Sequence, residues 1–298
     1  MNSVTSSIAI AFPGQGVTPE SFRRSLLRLD RHPYVERLGR LLGVDDWSAP
    51  DLVDPLIAQP ALLACSLALA DEIAATRDLG AAAGHSLGEI AAFTFAGAIE
   101  FEDALDLVRT RAKCCQAAAK ANGGRMLSVM GLDRAQVEWV RRTVIARGGV
   151  VEVAVQNAPR EWVLSGDDAA IRESAAMVRA ASARTRRLAI EGAFHSPLMA
   201  DALADWSTAL RGLPVSTPKL PVVSSVDGCI YTCANDLRTL LERSLLLPVS
   251  WPSALGVLVD LGIRQVIDAG PGSALAKIAA RTGGMQVISY ADEVGDVP

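Results

Sequence analysis

A chain of 298 residues, half of them hydrophobic, has enough apolar material for one large domain or a large domain with a small insert. Its net charge of −4 gives no support to nucleic-acid binding, and no nucleic-acid partner is expected. No run of about 18 apolar residues occurs, so no transmembrane helix and no membrane partner are expected. Met1–Ser7 is short and polar, unlike a secretory signal, so a cytoplasmic location is expected. Cys65, Cys114, Cys115, Cys229 and Cys233 include no CxxC pair, and no His completes a zinc set around the last two. They read as structural thiols, with no metal site.

In chain order, Ile8–Phe12 reads as a strand, helices run through Gln59–Ala75, and Gly80–Gly84 reads as a second strand. Helices follow at Leu87–Ala96 and Phe101–Ala119. This alternation predicts an α/β layer structure with a largely parallel sheet. The middle reads as strand Met126–Gly131, helix Arg134–Ala146, strands Val150–Gln156 and Trp162–Ser165, helix Ala169–Ala180 and strand Thr185–Ile190. That βαββαβ order is the ferredoxin-like split motif. The fold class expected is therefore α/β, a large α/β-hydrolase-like domain with a parallel sheet plus a small inserted ferredoxin-like domain. The large domain is assigned to 1–121 and 192–298, and the insert to 122–191, with Asn122-Gly123-Gly124 as its hinge. The α/β pattern resumes with helix Pro197–Leu210, strand Pro221–Val226, helix Ser253–Leu261, strand Gln265–Asp268 and a last helix near Ser273–Ala280.

Gly84-His85-Ser86-Leu87-Gly88 fits G-x-S-x-G between a strand and a helix, the context of a nucleophile elbow. Small flanking residues permit the tight turn that exposes a hydroxyl, and the Leu87 N–H is the natural oxyanion donor. An ordinary glycine-flanked βα turn is the alternative. A serine needs a base, and the chain has three histidines: His32, His85 and His195. His85 adjoins the serine, and His32 lies in a polar stretch that reads as surface. His195, in a loop at the domain junction, is the best base by elimination, against a non-catalytic helix-start role. Arg111 falls on the apolar stripe Ala104, Leu107, Val108, Cys115 of its helix. A guanidinium there needs an anionic partner, either a structural Asp or Glu or a substrate carboxylate held bidentately. Gln15, in the turn after the first strand, lies where ligands bind in open α/β sheets and can donate an amide hydrogen.

Together these residues resemble the malonyl-CoA:acyl carrier protein transacylases and the related acyltransferase domains of polyketide synthases. The resemblance rests on Phe12-Pro13-Gly14-Gln15-Gly16, Gln59-Pro60-Ala61-Leu62, Gly84-His85-Ser86-Leu87-Gly88-Glu89, Arg111, Ala193-Phe194-His195-Ser196-Pro197-Leu198-Met199, Pro248-Val249-Ser250-Trp251 and Gly270-Pro271-Gly272. It implies Ser86 as nucleophile, His195 as base, Gln15 and the Leu87 backbone as oxyanion donors, and Arg111 as holder of a malonyl carboxylate. It also implies a backbone carbonyl at Ser244 orienting the histidine, and His85 and Asn157 near the substrate. Phe194 would crowd a branched acyl group, since malonyl-selective relatives carry Ala-Phe-His at this point. A coenzyme A thioester is the expected substrate, with no permanently bound cofactor. An acyl carrier protein is the expected partner, and the chain is expected to act as a monomer. The chain departs from the pattern at Val17-Thr18, Ala112, Glu161-Trp162, Ser225 and Asp268.

Two other readings fit the same residues. A carrier-to-carrier shuttle or thioester-clearing hydrolase would keep the nucleophile and change the acyl group. A general serine esterase would place its histidine late in the chain, after an Asp or Glu, whereas about a hundred residues of α/β pattern follow His195.

Overall fold

The computed structural model describes residues 6–294. Strand β1 (Ile8–Phe12) leads into helices α1 (Pro19–Arg28), α2 (Pro33–Leu42) and α3 (Pro55–Ala74), then β2 (Ala81–Gly84), α4 (Gly88–Phe95) and α5 (Phe101–Asn122). The middle of the chain forms β3 (Arg125–Met130), α6 (Arg134–Ala146), β4 (Val151–Ala158), β5 (Glu161–Gly166), α7 (Asp168–Ala180) and β6 (Arg184–Glu191). A 3-10 helix (Pro197–Ala202) and α8 (Leu203–Gly212) precede β7 (Val222–Ser224), β8 (Ile230–Tyr231), α9 (Leu237–Ser244) and β9 (Val249–Ser250). The last elements are α10 (Trp251–Asp260), β10 (Gln265–Asp268), α11 (Ala274–Thr282), β11 (Gln286–Ser289) and α12 (Tyr290–Glu293).

Two compact units result. Of the described residues, one takes those up to Ala112, Leu213–Leu237 and those from Ser253 onward; the other takes Lys113–Gly212 and Arg238–Pro252.

In the first unit a six-stranded sheet runs β11-β10-β1-β2-β7-β8. All its pairings are parallel except β7 with β8. Ala9–Ala11 and Ala81–Ala83 are fully buried, as central strands of a sheet covered on both faces must be. The first three helices start alike, with Thr18, His32 and Asp54 as N-caps and proline directly after each. Thr18 explains one departure from the family pattern, because α1 begins at once after the Gly-Gln-Gly turn. His32 is a half-buried cap that accepts from the Tyr34 N–H at 3.4 Å, not the surface residue expected.

Helix α3 has the length and apolar composition to cross a membrane, yet 78% of its most apolar window is buried inside the protein. Its side chains pack all round, the pattern of a core helix. At the end of β10, Asp268 is fully buried, and burial pushes its carboxyl up to about 7. It accepts from the N–H groups of Gly270, Leu275 and Ala276, so it fastens the Gly-Pro-Gly turn and the start of α11.

In the second unit the sheet order is β6-β3-β5-β4-β9. The first four strands pair antiparallel, in the ferredoxin-like arrangement that the βαββαβ order predicted, and β9 adds parallel to β4. Val137, Val140 and Val144 of α6 and Ile171 and Val178 of α7 bury against Leu127, Val129 and Leu164 of the sheet. Trp162, a departure from the family pattern, fills this core and donates its indole N–H to the Leu132 carbonyl at 2.9 Å.

The helix expected over Pro197–Leu210 is divided into the 3-10 helix and α8. β8, α9, β9, β11 and α12 were not anticipated. All are short, and β8 and β9 have two residues each, too few to show a period.

Candidate active site

The elbow is set by backbone geometry in the first unit. β2 ends at Gly84 beside Phe12 of β1, so the turns after these two strands lie next to each other. Ser86 has φ 54°, a left-handed conformation that costs a non-glycine residue about 1–3 kcal/mol and clusters at functional sites. The glycines on either side are obligatory. A Cβ at Gly84 would lie 2.3 Å from the Glu89 backbone, and one at Gly88 would lie 2.0 Å from the Phe12 carbonyl oxygen. Gly88 N–H donates to the His85 carbonyl, and Glu89 N–H to that of Ser86, both at 3.0 Å, as the chain turns into α4. The Leu87 N–H stands at the N-terminal end of this helix, where amides lack intrahelical acceptors and the dipole favours negative charge.

Next to the elbow lies the Gln15 turn. A Cβ at Gly14 would meet the Ser86 Cβ at 3.3 Å and His85 Nδ1 at 3.4 Å, so the two turns are in contact. Behind Gln15 runs a chain of polar groups from three elements. Arg111 Nη1 of α5 donates to Gln59 Oε1 of α3 at 2.9 Å, and Gln59 Nε2 donates to Gln15 Oε1 at 3.3 Å. Arg111 is 4% exposed and Gln59 fully buried. The stripe containing Ala104, Leu107, Val108 and Cys115 is buried with Arg111, as its spacing predicted.

Glu89, in the first turn of α4, is a further buried group at the elbow. Its Oε1 accepts from Ser224 Oγ at 2.9 Å, the Ser225 N–H at 2.9 Å and Ser225 Oγ at 3.1 Å, which ties α4 to the end of β7. Oε2 is buried without a partner among the described residues. Burial accordingly pushes the carboxyl up to about 7. Ser225, a departure from the family pattern, thus supplies two of the three donors.

The second unit holds His195, also left-handed at φ 58°. Ser196 fixes this turn: its hydroxyl donates to the Ala193 carbonyl at 2.6 Å and accepts from the Leu198 N–H at 3.3 Å. His195 Nδ1 lies 2.9 Å from the Leu247 carbonyl oxygen. A carbonyl only accepts, so Nδ1 carries the proton and the lone pair of the neutral ring is on Nε2. This corrects the expectation for Ser244. The carbonyl facing the ring is three residues further on, past the end of α9, and the Ser244 hydroxyl donates to Leu241 within that helix. Phe194 is buried beside His195, and Asn157 at the end of β4 donates to Glu161 Oε1 at 3.3 Å.

The structure therefore gathers Ser86, Leu87, His85, Gln15 and Arg111 in one unit, and holds His195, Phe194 and Asn157 in the other. Gln59 and Glu89 entered the sequence reading only as members of matching motifs with no role assigned, and Leu247 did not enter it. A glutamine among the apolar residues of α3 and a glutamate among those of α4 were signals for the first two; a backbone carbonyl leaves none. No group of three or more His, Cys, Asp or Glu placed to hold a metal ion occurs among the described residues.

Comparison with known proteins places this arrangement. The acyl transferase domain family model matches residues 20–297. The malonyl CoA-acyl carrier protein transacylase of Haemophilus influenzae is 32% identical, over 95% of this chain and 95% of that protein. Its Bacillus subtilis counterpart is 30% identical, over 93% and 90%. A solved malonyl-CoA:acyl carrier protein transacylase from Xanthomonas oryzae superposes with a TM-score of 0.88 at 32% identity, covering 97% of this chain and 95% of that one. A malonyl-transacylase solved in complex with a type II polyketide synthase acyl-carrier protein gives 0.86 at 30% identity, covering 95% and 96%. The chain is an acyltransferase and belongs to the family of the malonyl CoA-acyl carrier protein transacylases.

Proposed function

We propose that this enzyme moves a malonyl group from coenzyme A to the phosphopantetheine thiol of an acyl carrier protein through an ester on Ser86. In the first half-reaction the Ser86 hydroxyl attacks the thioester carbonyl while its proton passes to His195 Nε2. The oxyanion accepts from the Leu87 N–H and the Gln15 amide. The C–S bond then breaks, and the leaving thiolate takes the proton from His195. In the second half-reaction the carrier thiol gives its proton to His195 and attacks the ester, and Ser86 recovers its hydrogen as it leaves. The Leu247 carbonyl keeps the imidazole in the required tautomer throughout. No permanently bound cofactor enters this scheme.

The observation that carries this reading is the buried Arg111, two hydrogen bonds from the residue beside the elbow. A buried guanidinium suits a carboxylate and would be wasted on a neutral acyl chain. Phe194 is assigned to crowd a branched α-carbon, an effect of about 1–3 kcal/mol per methyl. His85 and Asn157 are assigned to substrate binding. The names of the relatives support malonyl as the acyl group and an acyl carrier protein as acceptor. The chain is proposed to act in the cytoplasm as a monomer, with 122–191 as the inserted domain. The test is product analysis with malonyl-CoA and acetyl-CoA, with and without carrier protein. Malonyl-carrier should form only when carrier is present, with slow hydrolysis in its absence. Faster loading of acetyl than malonyl would remove the malonyl assignment.

A further inference from the structure

We propose that Trp206 is a positioning residue for the base: its indole N–H fixes the end of α9 and so sets where the Leu247 carbonyl meets His195. The inference rests on the reading of His195 as the base and explains how that base is aimed. Two stretches of chain lie side by side here and are tied at both ends. One leads from His195 through the 3-10 helix straight into α8, with no loop between the two helices. The other leads from the last turn of α9 to Leu247. At one end His195 Nδ1 lies 2.9 Å from the Leu247 carbonyl oxygen. At the other, Trp206 Nε1 donates to the Leu241 carbonyl at 2.9 Å. Beside it the Ser207 hydroxyl donates to Glu242 Oε1. All of these residues lie in the second unit.

A helix leaves its last four carbonyls without intrahelical donors, and Leu241 opens that last turn in α9. Its carbonyl takes the Trp206 N–H and the Ser244 hydroxyl, the latter at 2.8 Å. The Arg243 carbonyl takes the N–H groups of Leu246 and Leu247, at 3.1 and 2.9 Å. Leu247 is thus bonded back to α9 through its N–H while its carbonyl faces the imidazole. Pro248 follows and disfavours helical backbone at Leu247, and Val249 pairs with Val155 of β4. The turn is stiff, so its carbonyl goes where the end of α9 goes. Helix α9 has eight residues, too few to hold a place without tertiary contacts. Trp206 is 1% exposed, and its N–H is a directional tie, whereas the apolar packing of its ring is not.

Trp206→Phe tests this, since it keeps an aromatic ring in the site and removes the N–H. Nitrogen NMR of the imidazoles is the readout, and it is tractable because the chain has only three histidines. His195 is assigned by the signals that His195→Ala removes. In the wild type, at a pH where the ring is neutral, Nδ1 should carry the proton, held by the Leu247 carbonyl. Trp206→Phe should move part of that population to the Nε2-protonated tautomer, which cannot take the serine proton. Its single-turnover malonyl loading should fall about 5- to 10-fold, the contribution of one hydrogen bond, with half-saturation unchanged. Ser207→Ala, which removes the neighbouring tie, should shift the tautomer in the same direction by less; it carries the comparison if Trp206→Phe does not fold. A wild-type proportion of Nδ1–H in the folded variant, whatever its loading rate, overturns the proposal and leaves Trp206 a packing residue. Wild-type loading by His195→Ala would instead remove the base reading, a separate failure that this variant reveals.

Discussion

Arg111→Ala is expected to lose malonyl loading by ~10²–10³-fold, the cost of leaving one member of a buried charge pair without its partner. The loss should fall mainly on malonyl-CoA, because only that substrate brings a carboxylate for the guanidinium to bind. Acetyl loading should fall much less, because acetyl-CoA brings no carboxylate. Measuring acylation rates with both thioesters therefore gives a ratio that reports the carboxylate contact directly. Equal losses on the two substrates would make Arg111 a structural residue of α5, its hydrogen bond to Gln59 notwithstanding.

His195→Ala is expected to slow acylation ~10²–10⁴-fold, the range for removal of a general base. The Leu247 carbonyl holds Nδ1 as the protonated nitrogen. Nε2 therefore carries the lone pair that takes the serine proton. The protein should remain folded, because Ser196 bonds Ala193 and Leu198 through its own hydroxyl and does not depend on the imidazole. Thermal unfolding close to wild type together with the rate loss separates the two effects. Wild-type acylation in the alanine variant would exclude His195 as the base.

The elbow was legible in the sequence because its constraint is steric. Gly84 and Gly88 stand where any side chain would collide with backbone, so residue identity alone announces the turn. Arg111 was legible for a different reason, since a charge on a buried helical stripe violates the pattern around it. The βαββαβ order likewise announced the four antiparallel strands of the second unit, which have six to eight residues each. The carbonyl that orients His195 was not legible. Any residue has one, and only the path of the chain after α9 decides that Leu247, not Ser244, reaches the ring. Gln59 stood in plain view among apolar neighbours, yet its role depends on two partners 44 and 52 residues away. Glu89 is similar, since the turn it grips lies 135 residues on.

The central claim is an acyl ester on Ser86. Intact-mass spectrometry after brief incubation with malonyl-CoA tests it most directly. The wild-type chain should gain the mass of one malonyl group and lose it when carrier protein is added, and Ser86→Ala should gain none. A malonyl adduct that survives Ser86→Ala would place the nucleophile elsewhere and contradict the mechanism.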